Sequence, residues 1–333
     1  MTTLSTHVSR PHALAHFIAR HWSTWGVPAV LILLIVFFSI TAPSFATLAN
    51  IATVLQRESV MAIAALGATV VIISGGIDLS MGAVIGLTSI VVTMPIVEWG
   101  LPAAVTLPLA LIVGALVGSL TGVIVSFLRV PPLIATLGIL LLTRGIASIV
   151  SDNETISGAD LPAWLTALGR GFLGPIPVSV VIVVVLYAIA YLVMKRTRFG
   201  VHTYAIGSNE SAARLSGIQV NRHKVIVYAL GGFTSALAGI LLVARLGSGY
   251  ALHGTGWEFQ IIAAILLGGT SIFGGRGSVL WTLVGVAVLG VLSNGLNLLN
   301  VSSFYQTAAT GALLIVAVAL SEIGRRSQRD DSK

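Results

Sequence analysis

The chain has no cysteine, which excludes disulfide staples, thiol redox chemistry, thiolate zinc sites and iron–sulfur clusters. Charge is nearly as scarce: Asp, Glu, Lys and Arg make up 9% of the 333 residues, against about 25% in soluble domains. With 56% of residues hydrophobic, there is too little polar side chain to cover the apolar part in water. Lipid must be the solvent for most of the chain, so the expected fold is an all-α, polytopic membrane protein. No Gly-Lys dipeptide occurs, and a nucleotide-binding P-loop needs one to cradle phosphates. If ATP drives this protein, another polypeptide binds it. The net charge of +7 does not imply a nucleic-acid partner, because a basic groove needs a water-facing fold to sit on. The seven histidines lack metal-ligand spacing: His7, His12, His16 and His21 fall in the polar lead, His202 and His223 in an inner loop and His253 outside. No metal and no cofactor are expected.

What remains is a series of apolar runs of membrane-spanning length, about 20 residues each. Ten fit: 26–42, 59–76, 79–97, 101–128, 130–149, 175–194, 225–244, 259–275, 277–299 and 307–321. Arg10 and Arg20 before the first run, with Ser44-Phe45-Ala46 after it, resemble a cleaved signal peptide. The long polar lead, the length of the run and Pro43 beside the site favour a retained helix instead. The division is therefore a lead over 1–25, a transmembrane domain over 26–321 and a tail over 322–333. Placing both termini in the cytoplasm leaves only Arg57, Arg144, Arg170 and Arg245 of the 18 basic residues outside or near the outer ends, in accord with the positive-inside rule. The inner connection 195–224 sets six Lys or Arg against the single Glu210; the outer one, 150–174, reads as a short interfacial helix with Trp164 after Pro162.

Several segments stand out from the apolar background. Gly75-Gly76-Ile77-Asp78-Leu79-Ser80-Met81-Gly82 should break a helix, which lipid tolerates only where the backbone is buried in protein or lines a water-filled cavity. Asp78 and Ser80 could cap the next helix or contact a solute. Asp78 is also the one acidic residue well away from the expected loops, and so the sole candidate for binding a coupling ion. A second run, Gly268-Gly269-Thr270-Ser271-Ile272-Phe273-Gly274-Gly275-Arg276-Gly277, is loosely similar, as in transporters with paired interrupted segments. Gly114, Gly118 and Gly122, four apart, suit close helix packing. Between Gly207 and Ile218 a short helix is expected, with Ser208 or Asn209 as N-cap and Gly217 as its stop. Ala212, Ala213 and Leu215 would give it a small apolar face that a partner groove could receive.

These three motifs, with Asn294-Gly295-Leu296-Asn297-Leu298-Leu299 and Ser302-Ser303-Phe304-Tyr305-Gln306, resemble the permease subunits of ribose-type sugar ABC importers. The resemblance covers about 27–320. It implies a bacterial inner-membrane subunit that pairs with a second permease copy, a cytoplasmic ABC ATPase and an extracytoplasmic sugar-binding protein, and that passes a monosaccharide. It further implies that Asn209, Glu210, Ala212, Ala213, Arg214 and Gly217 belong to a coupling helix docked on the ATPase. Such helices often read Glu-Ala-Ala-x-x-x-Gly; here Ser211 replaces the Glu and Glu210 lies one position earlier. Gly75, Gly76, Asp78, Ser80, Gly268, Gly269, Thr270, Asn294 and Asn297 are the candidates for the translocation path or its helix breaks. Many relatives carry an acid two positions after the Glu that enters the eighth helix, where this chain reads Glu258-Phe259-Gln260. An ion-coupled carrier using Asp78 is the competing reading.

Overall fold

The computed structural model describes residues 26–157 and 161–309, with 311, 312 and 315. The lead 1–25, the tail 322–333 and most of the tenth expected span lie outside the described residues. The rest is helical because in lipid each backbone N–H and C=O must find its partner within the chain. In order the helices are α1 (Val27–Thr41), α2 (Leu48–Ile73), α3 (Met81–Trp99), α4 (Ala103–Ser126), α5 (Pro132–Val150), α6 (Ala163–Arg170), α7 (Val178–Arg196), α8 (Arg198–Ser208), α9 (Glu210–Leu215), α10 (Val220–Leu246), α11 (Trp257–Leu267) and α12 (Val279–Leu298). Proline sets several starts: Pro102, Pro131, Pro162 and Pro177 are the extended N-cap residues of α4, α5, α6 and α7. The ring fixes φ, and the missing N–H is one the first turn could not have bonded.

Seven of the described helices are long and apolar enough to cross a membrane: α2, α3, α4, α5, α7, α10 and α12. That is fewer than the ten expected. The first expected span forms only the 15 residues of α1, and the eighth only the 11 of α11, because Gly268 and Gly269 stop it before 275. The second is longer than expected, since α2 starts at Leu48 and takes in Asn50, Gln56, Arg57 and Glu58. The interfacial helix expected in 150–174 is α6.

α2, α3 and α10 form the buried centre, and α5 and α7 lie at the periphery. α4 packs on α10 through the expected glycines: a Cβ at Gly114 would stand 2.5 Å from that of Ala236, one at Gly122 2.7 Å from the Val225 Cα, and one at Gly118 would collide with the Tyr228 carbonyl. Dispersion between backbones this close drives association where lipid supplies no hydrophobic contrast. α2 and α12 run antiparallel, tied by a reciprocal amide pair, Asn50 with Asn294 at 2.9 Å each way, and by Thr69 with Thr282 at 2.8 Å. Two short antiparallel pairs, Ile156–Ser157 with Ser248–Gly249 and Phe172–Leu173 with Ile176–Pro177, order the connections flanking α6.

Candidate functional site

Three stretches of irregular backbone lie between long helices: 74–80, 247–256 and 268–278. The first and third begin alike. α2 ends at Ser74, Gly75 turns left-handed (φ +79°), and the N–H groups of Gly75 and Gly76 return to the carbonyls of Ile72 (2.9 Å) and Val71 (3.0 Å). α11 ends at Gly268, Gly269 turns left-handed (φ +79°), and the N–H groups of Gly269 and Thr270 return to Leu266 (2.9 Å) and Ile265 (3.2 Å). Glycine is the residue for which this conformation carries no steric cost. The loose sequence similarity between the runs therefore has a shared backbone stop behind it.

The two breaks also touch. Gly275 N–H donates to the Ile73 carbonyl at 2.9 Å, and a Cβ on Gly274 would stand 2.7 Å from the Gly75 Cα. A third element closes the junction: a Cβ on Gly207, near the end of α8, would collide with the Ile73 carbonyl and lie 2.5 Å from the Gly275 nitrogen. Tyr204 on α8 donates its hydroxyl proton to the Gly277 carbonyl at 2.9 Å, and Tyr228 on α10 donates to that of Ile77 at 3.2 Å. Backbone thus meets backbone where α2, α8 and the irregular segment leaving α11 converge.

Asp78 is buried beside this junction, 3% exposed. Its Oδ1 accepts the Ser80 N–H at 2.8 Å and the Ser80 hydroxyl at 2.6 Å. Ser80 holds the N-cap position of α3 without capping it through its side chain, so the carboxylate shapes the turn before the helix rather than its first exposed amides. Thr270 is buried as well, 1% exposed. Asn294 and Asn297 sit far from these residues: Asn294 pairs with Asn50 at the other end of the roughly 39 Å α2, and Asn297 accepts from Gln306 at 2.8 Å.

The short helix after the junction is α9. Asn209 is its N-cap, accepting the Ala212 N–H at 2.9 Å, and Gly217 (φ +84°) ends it, with the Ile218 N–H returning to the Ala213 carbonyl at 3.1 Å. One expectation is corrected. Ala213 does not face outward; it is buried against Ile206 and Val220. The exposed apolar residues of α9 are Ala212 and Leu215, and Leu215 is 89% exposed. Glu210 bonds Lys224 at 2.6 Å and Arg214 at 3.1 Å, and Arg214 reaches Asn221 at 3.2 Å, tying α9 to the foot of α10. The Lys224 hydrogen bond, aided by Arg214, holds the Glu210 carboxyl below its ordinary value.

A carboxyl lowered on folding contributes stability that is complete above its unfolded value and lost as pH falls through the folded one. Because Glu210 is nearly half exposed, that contribution is small and screened. Glu210→Gln should therefore speed amide exchange in α9 modestly at neutral pH, and the difference from wild type should shrink once the wild-type carboxyl is protonated in acid. Equal exchange at neutral pH would mean the bridge does not hold α9.

Sequence reading overlooked other groups. Asp78 is not the sole acid inside the spans: Glu58 lies in α2, and Glu258 opens α11, 6% exposed. Arg144 lies six residues before the end of α5 and bonds to the segment 247–256. Gly207 opens the run that ends at Ile218, but nothing in the sequence marked it as a point of backbone contact.

Long apolar helices with two glycine-stopped breaks that meet in the interior define a polytopic membrane protein of the transport type. Comparison with known proteins narrows that class. The family profile described as branched-chain amino acid transport system / permease component matches residues 50–318. The ribose import permease protein of Escherichia coli is 44% identical over 293 residues, covering 86% of this chain and 90% of that protein. Those of Haemophilus influenzae and Bacillus subtilis are 42% and 41% identical over 291 and 290 residues, covering 86% and 87% of this chain and 90% of each. No solved structure matches. The chain belongs to this family of transport-system permease components.

Proposed function

We propose that this chain, a permease subunit of a sugar ABC importer, passes ribose or a closely related monosaccharide across a bacterial inner membrane, with ATP hydrolysed on a separate cytoplasmic subunit. The sugar assignment rests on individual relatives above 40% identity, which are more specific than the family's general description. In this reading a second permease copy completes the path, an extracytoplasmic binding protein delivers the sugar, and both termini are cytoplasmic. The single observation that carries the mechanism is the junction of Gly207 with Ile73 and Gly275. It packs the segment leading to α9 against both helix breaks, which supports the reading that movement of α9 on an ATPase is passed to the breaks. Alternating access follows if that junction shifts the α2–α3 and α11–α12 connections together. Affinity for the sugar need only be weak, since the binding protein selects and a tight site would slow release.

The test is uptake in proteoliposomes with the ATPase and binding protein. Ribose uptake should require ATP, persist with an uncoupler, and fail in Leu215→Asp, whose exposed position leaves the permease fold intact while placing a charge in the docking contact. Undiminished ATPase co-purification with Leu215→Asp would remove α9 from the docking role, and uptake that needs the proton gradient but not ATP would favour the ion-coupled carrier.

A further inference from the structure

Arg144, His253 and Glu258 are polar groups within the membrane domain that nothing above employs. Arg144 stands about 18 Å along α5, a helix of about 28 Å, on a peripheral element where its neighbour Gly145 meets nothing within 4 Å. Its Nη1 donates to the carbonyls of Ala251 (2.7 Å) and His253 (2.8 Å), both in the irregular segment linking α10 to α11. Glu258 is 6% exposed; its Oε1 accepts only the Gly256 N–H, at 3.3 Å, and its Oε2 has no hydrogen-bond partner among the described residues. The buried Nδ1 of His253 likewise has none. Arg144 lies close enough to both to interact electrostatically. Tyr250 stands edge to face with His253, ring centres 5.8 Å apart.

Packing does not account for this set. A charged side chain within a span is disfavoured, and each unpaired buried polar atom adds to the cost. Anchoring two carbonyls explains one nitrogen of Arg144 and leaves Glu258 Oε2 and His253 Nδ1 unexplained. A guanidinium only donates, a carboxylate only accepts, and a neutral imidazole does one at each nitrogen. A hydroxyl does both. Neighbouring hydroxyls of one neutral molecule can therefore satisfy Arg144 and Glu258 together, whereas an anion or a cation would engage one and repel the other. The Tyr250 ring adds an apolar surface beside the polar groups.

We infer that Arg144, His253 and Glu258, gathered around the α10–α11 segment, form a station for a neutral polyhydroxylated ligand, the transported monosaccharide. The inference rests on the import reading. A few hydroxyl contacts give the brief, weak hold that passage requires.

The test uses the full complex in proteoliposomes. Because the chain has no cysteine, His253→Cys has no labelling background. It should react with a small water-soluble thiol reagent in at least one nucleotide state, and ribose at tens of millimolar should slow the reaction several-fold. No reaction in any state, or a rate indifferent to ribose, overturns the station. Glu258→Gln, which keeps shape and loses charge, should change the ratio of uptake rates for ribose and a deoxy analogue. Equal slowing of both sugars would reduce Glu258 to a positioning residue of the loop. If the wild-type complex takes up no ribose or related monosaccharide, the import reading fails; if wild type transports and His253→Cys is unprotected, only the station does.

Discussion

Gly207→Val is expected to abolish sugar uptake in an otherwise inserted protein. The site has no room: the new Cβ would collide with the Ile73 carbonyl and stand 2.5 Å from the Gly275 nitrogen, and both neighbours are backbone, not the movable ends of side chains. The isopropyl group must push α8 off the two breaks or shift the end of α2. Overpacking costs about 1–3 kcal/mol where neighbours can yield, and these are held by the Gly275–Ile73 hydrogen bond and by the left-handed turn at Gly75. On the proposed mechanism the substitution also separates α8 from the two breaks it would move. Gly138→Ala is the control: its Cβ meets nothing within 4 Å, and alanine favours a helix interior over glycine by about 0.5–1 kcal/mol. The measurement is ATP-driven uptake alongside membrane yield and ATPase co-purification. Normal yield and binding with uptake lost places the effect in transmission, whereas unimpaired uptake in Gly207→Val would show that the junction transmits nothing.

Why Gly207 was illegible, while Gly75 was not, follows from what a sequence records. A glycine that stops a helix announces itself by interrupting an apolar run: the break at Gly75 was expected, whereas the expected span 259–275 ran through Gly268 and Gly269, which end α11. A glycine needed because a distant backbone arrives at its Cα leaves no local trace, and Gly207 is of that kind. Long peripheral helices such as α5 and α7 fell within a few residues of their expected bounds because lipid imposes length and apolarity on each helix alone. α2 did not, since Asn50, Arg57 and Glu58 resemble a loop until Asn294 and Ser293 are seen to partner the first two. The same limit misplaced Ala213: composition offered α9 an apolar face, but only the fold shows that Ile206 and Val220 cover part of it and leave Leu215 bare.

Asp78→Leu should lose folded protein and uptake together, and Asp78→Asn should keep most of both. Oδ1 is the acceptor for two donors, the N–H and the hydroxyl of Ser80, in a site 3% exposed. Leucine removes the acceptor and leaves both donors buried; the hydroxyl can turn toward another oxygen, but the N–H is fixed by the backbone and forfeits about 1–3 kcal/mol by itself. The turn that carries the chain from Gly75 into α3 then loses its internal tie, beside the junction proposed to carry coupling. Asparagine retains an oxygen at the same position and dispenses with a charge that the membrane interior disfavours. Uptake by both variants, measured with ATP supplied and the proton gradient collapsed, separates this role from ion coupling. If Asp78 binds a coupling proton, Asn must be as damaging as Leu, and the wild-type rate must fall when the gradient is collapsed; if it ties the turn, Asn transports, Leu does not, and the gradient is irrelevant to each.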